Sequence, residues 1–160
     1  MEGLLSILNI ALLDLALGSS SSLSSSLMST DLSSLLDASE SNKSLEKLPD
    51  YIEFLVEKKI RRNHTLVVVG GGIMQDITSF LSATLLRGVS WYFYPTTLLS
   101  QADSCIGSKS SINCRGVKNI LGTFSPPRRI YLSTNFLKTL ELNDLKSGIG
   151  EMLKVHAIAG

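Results

Sequence analysis

A run of three glycines at 70–72 follows β-branched residues and precedes a stretch with helical spacing of apolar residues. Backbone N–H groups of such a turn can approach a phosphate at the positive end of a helix. The dinucleotide fingerprint would place a further glycine where the chain has Gln75, so the ordinary Rossmann motif is not met. Asp76 could reach a ribose hydroxyl from the first helical turn. The alternative is a plain tight turn whose carboxylate stabilises the helix dipole.

Residues 95–119 form a second candidate region, which is polar and contains Asp103, Lys109, Lys118 and Asn119. This stretch follows the carboxyl end of a predicted parallel strand, the edge at which ligands of open α/β sheets bind. Lysine and asparagine can hold phosphate and hydroxyl groups, and an aspartate can orient a polyol. A solvated loop is the alternative, but a loop of this length without a periodic pattern is more often functional.

Candidate metal ligands are few. Glu151 and Lys154 are three residues apart in a helical pattern and therefore share a face, where a weak surface ion pair is the simplest interpretation. His156 lies off that face, and His64 lies in a turn before a strand, where a structural or solvent-facing role is expected. A catalytic zinc site needs about three protein ligands, and the sequence offers one carboxylate.

The elements that position these residues follow from the hydrophobic pattern. Residues 65–69 read TLVVV without alternation, which predicts a strand buried on both faces. A helix is predicted over 73–86 and a second strand over 89–94. Residues 61–94 therefore predict a βαβ unit with a right-handed crossover and a parallel sheet.

Further elements flank this unit. The period of apolar residues over 44–59 predicts a helix that begins near Pro49, because proline is tolerated in a first turn. A short strand is predicted at 129–132, and the pattern is helical from Thr134 onward. We therefore predict an α/β fold in which a parallel-sheet domain over 38–133 is followed by a helical segment over 134–160.

Composition restricts the function classes. The chain has 160 residues, a formal net charge of +1 and 44% hydrophobic residues, which fits one modest globular domain. The near-zero charge gives no electrostatic basis for binding nucleic acid or an anionic membrane surface. Cys105 and Cys114 match no metal spacing and form no disulfide framework, so a reducing, cytoplasmic setting is expected.

The first 37 residues differ from the rest. Residues 1–17 are apolar but contain Asp14, and the first basic residue is Lys43, which argues against a secretory signal. We interpret this stretch as a short helix or a leader. Residues 19–26 hold seven serines and one leucine, a low-complexity composition. Residues 1–37 are therefore expected to pack poorly against the remainder.

Several motifs together resemble the 3-dehydroquinate synthase family in order and spacing. They are ESNKSLE (40–46), GGGIMQD (70–76), LLRGV (85–89), PTTLLSQADSCIGSKSSIN (95–113), KNILGTF (118–124) and GIGEMLK (148–154). The resemblance implies a lyase of the shikimate pathway and of aromatic amino acid biosynthesis. Its cofactors would be NAD and a divalent metal, zinc or cobalt. Its partners would be a small-molecule sugar phosphate and, in the full-length family, a second copy of the chain in a homodimer.

The family reaction implied by the resemblance is the cyclisation of a heptulosonate phosphate with loss of phosphate. NAD would transiently oxidise a ring hydroxyl, which acidifies the adjacent C–H and allows phosphate to leave. The hydride then returns, the ring opens, and an intramolecular aldol step closes the carbocycle.

Residue roles follow from the same resemblance. NAD would be contacted by Glu40, Lys43, Gly71, Gly72, Asp76, Thr96, Thr97, Lys118, Phe136 and Thr139. The sugar phosphate would be contacted by Arg87, Asp103, Lys109, Asn119 and Lys154, with Arg87 reaching a neighbouring subunit's site. Glu151 would be one ligand of the metal. The resemblance also implies that residues 38–133 are a partial NAD-binding α/β domain and that residues 134–160 are the start of a truncated α-helical metal-binding domain.

The sequence also departs from the family. Ser108 replaces the usual glycine before the lysine, and Pro126 stands where glutamine is commoner. Both changes resemble relatives such as 2-epi-5-epi-valiolone synthase, so the identity of the substrate stays open between an acidic and a neutral seven-carbon sugar phosphate. The family's other metal ligands are histidines that have no counterpart here, which leaves an inactive nucleotide-binding remnant as a third interpretation and predicts a fragment that is inactive alone. A glycerol dehydrogenase-like protein is less favoured, because its site has no use for phosphate-binding lysines.

Overall fold

The structure is a computed structural model that describes residues 10–14, 27–28 and 38–159. Its strands are β1 (Ile10–Asp14), β2 (Leu27–Met28), β3 (His64–Gly70), β4 (Ser90–Pro95), β5 (Ile112–Cys114), β6 (Val117–Leu121) and β7 (Arg129–Ile130). Its α-helices are α1 (Leu48–Glu57), α2 (Gly72–Thr84) and α3 (Leu142–Ala159). The main sheet has the order β2-β1-β3-β4-β7, and β5 pairs with β6 in a separate hairpin.

The predicted βαβ unit is confirmed. Strands β3 and β4 pair in parallel from Thr65 opposite Ser90 to Gly70 opposite Pro95, and α2 provides the crossover. Strand β7 extends the parallel part beyond β4. The fold is therefore of the α/β class with a parallel sheet, as the hydrophobic pattern predicted.

The expectation that β3 is buried on both faces is wrong in one respect. Leu66 and Val68 are fully buried, but Val67 and Val69 are only half-buried. Successive side chains of a strand point to opposite faces, and the helical layer covers the face that carries Leu66 and Val68. An unbroken β-branched run does not by itself distinguish a strand covered on two faces from one covered on one.

The sheet also contains strands that the sequence did not predict. Strand β1 pairs antiparallel with β3 along its whole length, from Ile10 opposite Val68 to Asp14 opposite His64, and β2 pairs with β1. The expectation of a helix over residues 1–17 is therefore wrong over Ile10–Asp14. The expectation that residues 1–37 pack apart from the rest is also not met there. The serine tract at 19–26 lies outside the described residues.

The core forms between the sheet and two helices. Strands β3 and β4 bury Leu66, Val68, Trp91 and Phe93, and the helices contribute Tyr51 and Leu55 from α1 and Met74, Ile77 and Leu81 from α2. Each of these side chains is at most 2% exposed, and fully burying one contributes on the order of 2 kcal/mol. This packing fixes where the first turn of α2 lies on the sheet.

The stretch 95–119 is more ordered than the unpatterned loop that the sequence predicted. It contains a π-helical turn, Ser100–Ser104, and the β5–β6 hairpin. The hairpin turn is formed by Arg115 at φ +47° and Gly116 at φ +81° between the paired residues Cys114 and Val117. Two consecutive residues at positive φ are the signature of a two-residue hairpin turn, and a Gly in second position favours it.

The remaining predicted elements are present. Helix α1 begins at Leu48 with Pro49 in its first turn, and β7 lies within the strand predicted at 129–132. A 3-10 helix, Thr134–Thr139, precedes α3. Helix α3 contacts the preceding structure where Gly148 lies against Leu98. None of the helices within the described residues combines the length and apolar content that a bilayer span requires.

Candidate functional site

The glycine turn lies at the carboxyl edge of the parallel strands. The backbone N–H of Thr96 donates to the carbonyl of Gly70 at 3.0 Å, so the ends of β3 and β4 stay together. A Cβ at Gly71 would lie 3.1 Å from Cγ2 of Thr97, which leaves little room for a side chain. Helix α2 starts at Gly72, so its positive end opens at this edge.

A cavity of about 300 Å3 opens beside the first turn of α2. We call it the central cavity; it is lined by Gly72, Gln75, Asp76, Asp103, Ser104, Gly107, Lys109 and Ser111. Four of these residues were nominated from the sequence: Gly72, Asp76, Asp103 and Lys109. Asp103 and Lys109 are exposed at its outer side. The cavity therefore combines a helix N-terminus, two carboxylates and an ammonium group, which suits a ligand that carries both phosphate and hydroxyl groups.

Lys43 links this cavity to the segment that precedes α1. Only 6% of the residue is exposed, and its Nζ lies 3.2 Å from Oδ2 of Asp76, 2.9 Å from Oδ1 of Asn119 and 3.4 Å from Oε1 of Glu40. A buried ammonium group requires such partners, because desolvation of an unpaired charge costs several kcal/mol. Four residues nominated from three separate motifs thus meet at one point.

Asp76 does not act merely as a first-turn dipole partner. Its Oδ1 accepts the backbone N–H of Ser111 at 2.9 Å, and its Oδ2 accepts the hydroxyl of Ser111 at 2.8 Å in addition to the bond from Lys43. The carboxylate therefore ties α2 to the segment before β5. Ser111 was not among the residues nominated from the sequence, since a serine in a polar stretch gives no distinguishing signal.

Asn113 is a second residue that the sequence did not nominate. It is 9% exposed, its Nδ2 donates to Oε1 of Glu40 at 2.9 Å, and its Oδ1 accepts the backbone N–H of Asn119 at 2.8 Å. The hydrogen bond from Asn113, followed by the nearby Lys43, lowers the pKa of Glu40. Asn119 itself adopts φ +56°, a conformation that asparagine tolerates better than most residues. Asn113 thus connects the two ends of this network.

A second cavity of about 260 Å3 lies on the other side of the network. We call it the hairpin cavity; it is lined by Glu40, Ser41, Ser44, Asn113, Gly116 and Lys118. Glu40 and Lys118 were nominated from the sequence as cofactor-binding residues. The network around Lys43 separates this space from the central cavity, so an extended ligand would have to pass along it to reach both.

Other nominated residues lie away from both cavities. Arg87 is exposed and follows α2, at the amino end of β4 and therefore at the opposite edge of the sheet. It adopts φ +62° next to Leu86 at φ +52°. Phe136 and Thr139 lie in the 3-10 helix before α3, where the hydroxyl of Thr139 donates to the carbonyl of Phe136 at 2.8 Å. The single chain does not bring these residues to the central cavity.

Glu151 and Lys154 form an ion pair with each other on α3, the simplest of the interpretations that their spacing allowed. Among residues 10–14, 27–28 and 38–159, no group of three or more histidine, cysteine, aspartate or glutamate side chains could hold a metal ion. The donor set around Glu151 in the described part of the chain therefore does not fit a divalent metal.

Comparison with known proteins adds the family context. Residues 33–147 match the family described as 3-dehydroquinate synthase N-terminal. The chain is 45% identical over 119 residues to 3-dehydroquinate synthase of Clostridium tetani, a match that covers 74% of this chain and 32% of the relative. The enzyme of Acetivibrio thermocellus is 42% identical over 120 residues, 75% and 33% of the two chains. The match thus spans about a third of the length of these relatives.

Solved structures agree with this. A 2-epi-5-epi-valiolone synthase from Streptomyces hygroscopicus, solved with NAD+ and Zn2+ bound, superposes with a TM-score of 0.71 at 32% identity, covering 75% of this chain and 34% of that one. A 2-deoxy-scyllo-inosose synthase, solved with carbaglucose-6-phosphate, NAD+ and Co2+, gives 0.69 at 28% identity, covering 72% and 32%. Glycerol dehydrogenase of Schizosaccharomyces pombe, at 23% identity, a TM-score of 0.54 and 69% and 27% coverage, shares the fold alone.

Proposed function

The chain belongs to the 3-dehydroquinate synthase family, and we propose that it provides the NAD-binding part of an enzyme that cyclises a heptulosonate phosphate with loss of phosphate. The observation that carries the proposal is the convergence of Glu40, Lys43, Asp76 and Asn119 beside the N-terminus of α2. These four residues come from three separate motifs, and a solvated loop would not bring them together around one buried ammonium group. The reaction belongs to the shikimate pathway in this proposal.

The residues at the carboxyl edge suit NAD. Gly71 and Gly72 let a pyrophosphate approach the positive end of α2, where backbone N–H groups point outward. Glu40, Asp76 and Lys118 line the two cavities on either side of Lys43 and would hold the riboses and phosphates. In this proposal the cofactor also contacts Thr96 and Thr97 at this edge. Phe136 and Thr139 line neither cavity, so they would be reached only by a part of the cofactor that extends beyond both cavities. Bound NAD would supply a reversible hydride acceptor for a ring carbon of the substrate.

The sugar phosphate would lie at the outer side of the central cavity. Lys109 would pair with the dianionic phosphate, Asp103 would orient ring hydroxyls, and Asn119 would bind a further hydroxyl. Lys154 would approach from α3. Arg87, which lies at the opposite edge of its own sheet, would serve the site of the second subunit in a homodimer. Each of these groups stabilises charge that is present on the substrate or develops during the reaction. Their positions relative to one another therefore matter more than the basicity of any single group.

Zinc or cobalt is part of the proposed enzyme but not of the site described here. Glu151 supplies one carboxylate, and it is paired with Lys154. A catalytic divalent metal takes about three protein ligands, so further donors would have to come from outside the described residues.

A related reaction on a neutral seven-carbon sugar phosphate is the second candidate. Two observations favour it: Ser108 and Pro126 depart from the commoner residues of the family, and the structure of a 2-epi-5-epi-valiolone synthase is similar to this chain. The pair Lys118-Asn119 argues for the acidic substrate, since it matches the dehydroquinate-forming pattern. The two candidates share the cofactor and the loss of phosphate and differ in the group that recognises the substrate carboxylate.

A chimera tests the proposal. In this chimera, residues 38–159 replace the matching segment of the Clostridium tetani enzyme. Release of inorganic phosphate is then measured with the acidic and with the neutral substrate, in the presence of NAD and zinc. We expect turnover of the heptulosonate phosphate and a loss of about 100-fold or more in the Lys109→Ala chimera. The control is Lys47→Ala, because Lys47 forms an exposed ion pair with Asp50 away from both cavities.

The outcomes separate the candidates. Turnover of the neutral sugar alone would select the second candidate. A folded chimera that binds NAD but releases phosphate from neither sugar would contradict both, and equal rates for the Lys109→Ala and Lys47→Ala chimeras would contradict the assigned role of Lys109.

A further inference from the structure

Gln75 occupies the place in the first turn of α2 where a dinucleotide fingerprint would have a glycine. The residue is 3% exposed, yet it contributes to the lining of the central cavity. Its own backbone N–H donates to the carbonyl of Gly71 at 3.1 Å, so its position relative to the glycine turn is fixed. A long polar side chain at this point needs hydrogen-bond partners, because burial of an amide without them is unfavourable.

Both ends of the Gln75 amide bind the same residue. The Nε2 group donates to the backbone carbonyl of Ser104, and the hydroxyl of Ser104 donates to Oε1 at 2.8 Å. The orientation of the amide is determined by chemistry, since a carbonyl can only accept and must therefore face the NH2 group. Ser104 ends the π-helical turn Ser100–Ser104, directly after Asp103. The amide thus joins the first turn of α2 to the wall that carries Asp103.

The other end of the π-helical turn is also held by a glutamine. Nε2 of Gln101 donates to the carbonyl of Pro95 at 2.9 Å and to that of Ser133 at 3.0 Å. Asp103 lies between the two attachments, with its side chain on the exposed side of the cavity. The separation between Asp103 and the glycine turn therefore depends on the Gln75–Ser104 pair.

We propose that Gln75 is a positioning residue that sets the width of the central cavity by holding Asp103 at a fixed distance from the glycine turn. The proposal rests on the proposed function, in which NAD binds at this turn. Loss of the amide leaves the Ser104 carbonyl without its donor and lets the π-helical turn move away from α2. Ligand affinity then falls, because the two walls no longer fit one ligand.

An isosteric substitution distinguishes positioning from simple packing. In Gln75→Glu, the protonated carboxyl group can still donate to the Ser104 carbonyl and accept the Ser104 hydroxyl. The ionised carboxylate cannot donate and faces the carbonyl oxygen instead. Burial and this repulsion favour the neutral form of the new carboxyl group. In the folded variant they therefore raise the pKa of this group above the ordinary value for Glu. The attachment should therefore be present at low pH and be lost as pH rises through that raised value.

Other charged groups face the same cavity and are controlled for. They are Asp76 from α2, Asp103 from the π-helical turn, and Lys109 and Lys43 from the segments around it. The unsubstituted chain carries all of them, so any change in NAD affinity that they cause between the two pH values is also present in that chain. Gln75→Met has nearly the shape of glutamine but makes neither hydrogen bond at any pH.

The experiment uses the 160-residue chain and the two variants at pH 5.5 and pH 8.5. NAD affinity is measured by calorimetry, and hydrogen–deuterium exchange over residues 100–107 is compared with the unsubstituted chain at the same pH. We expect Gln75→Glu to match that chain at pH 5.5, and at pH 8.5 to bind NAD about tenfold more weakly with faster exchange. Gln75→Met should show both effects at both pH values.

Two results for Gln75→Glu would overturn the proposal. One is NAD affinity and hydrogen–deuterium exchange equal to those of the unsubstituted chain at both pH values. The other is faster exchange with unchanged NAD affinity. Trp91 is the single tryptophan and is 2% exposed, so it reports global unfolding. Global unfolding of both variants would assign Gln75 a structural role and would also overturn the proposal. An unsubstituted chain that binds no NAD contradicts the proposed function instead, while the exchange data still test whether Gln75 holds the π-helical turn.

Discussion

At the scale of single residues, the site is organised around the buried ammonium group of Lys43. Its charged partners are Glu40 and Asp76, so one positive charge is shared between two carboxylates, and it also donates to Asn119 and Ser111. A buried pair of this kind adds little net stability, but removing one partner is expensive because it leaves an unpaired charge. The arrangement therefore specifies where Glu40 and Asp76 lie more than it strengthens the fold.

Tyr51 supports the segment that carries Glu40 and Lys43, and its titration gives a test. The side chain is 1% exposed, its hydroxyl donates to the carbonyl of Asn42 at 3.0 Å, and burial raises the pKa of Tyr51 to about 12. The neutral phenol therefore stabilises the fold fully below pH 10, and this contribution is lost as pH rises from 10 to about 12.

We expect Tyr51→Phe to be less stable than the unsubstituted chain at pH 8, by about 1 kcal/mol for the lost hydrogen bond. The difference should shrink by pH 11.5, since phenylalanine does not ionise. Urea unfolding followed by Trp91 fluorescence at the two pH values measures it. Lysines titrate equally in both chains and cancel in the comparison. A difference that stays constant or widens would contradict the account of Tyr51.

At the scale of elements, the parts that sequence predicted are those with a local pattern. Elements β3, α2 and β4 follow from the run at 65–69, the glycine turn and the helical spacing after it. Elements that are neighbours in this unit are also close together in the sequence. Strand β1 escaped prediction because an apolar stretch of that length fits helix or strand equally. The β5–β6 hairpin was missed because its strands, of three and five residues, are too short to show a clear pattern, although Arg115-Gly116 carried a turn signal.

Helix α3 is positioned by a close contact at Gly148, which leads to a paired prediction. A Cβ there would lie 2.7 Å from Cβ of Leu98, whereas a Cβ at Gly150 would meet nothing within 4 Å. Gly150→Ala should raise the free energy of unfolding by up to about 1 kcal/mol through helix propensity. Gly148→Ala should lower it by about 1–2 kcal/mol, because overpacking outweighs the same gain.

Urea unfolding followed by circular dichroism compares the two alanine variants directly. Both positions lie on one helix, so the gain in helix propensity is about the same, and the difference between the variants reports the contact of the buried Gly148 with Leu98. Equal stabilisation by both would show that α3 does not rest on Leu98, and the placement of Glu151 and Lys154 would then need revision.

At the scale of the whole molecule, the sequence predicted which residues line the site better than it predicted the hydrogen bonds that connect the surrounding segments. Asp103, Lys109 and Asp76 were predicted and line one cavity, but three residues that connect the surrounding segments were not predicted. Ser111 bonds to Asp76, Gln75 bonds to Ser104, and Asn113 bonds to Glu40. Such residues act through hydrogen bonds to backbone groups distant in sequence, and no spacing rule reports these. Arg87 lies at the far edge of the sheet, so a role in the reaction requires a second subunit.

The absence of a metal-binding group among the described residues leads to a prediction for the chain alone. We expect no release of phosphate from a heptulosonate phosphate at saturating NAD and zinc. Within the described residues Glu151 lacks partner ligands for a metal, and misplacing reacting groups by about 1 Å can reduce the reaction rate on the order of 100-fold. Inorganic phosphate is measured, with Lys109→Ala as the control. Turnover that disappears in this variant would show that the chain holds a complete site.

The central claim is that this chain binds NAD along the two cavities, and calorimetric titration of the 160-residue chain with NAD tests it most directly. Lys118 lines the hairpin cavity, whereas Lys47 is also exposed but does not line it. We expect saturable binding with one NAD per chain, weakened about tenfold in Lys118→Met, since a charge-assisted hydrogen bond contributes about 1.5–3 kcal/mol. Lys47→Met should bind as the unsubstituted chain does. A folded chain that shows no saturable binding, or equal weakening by the two substitutions, would contradict the claim.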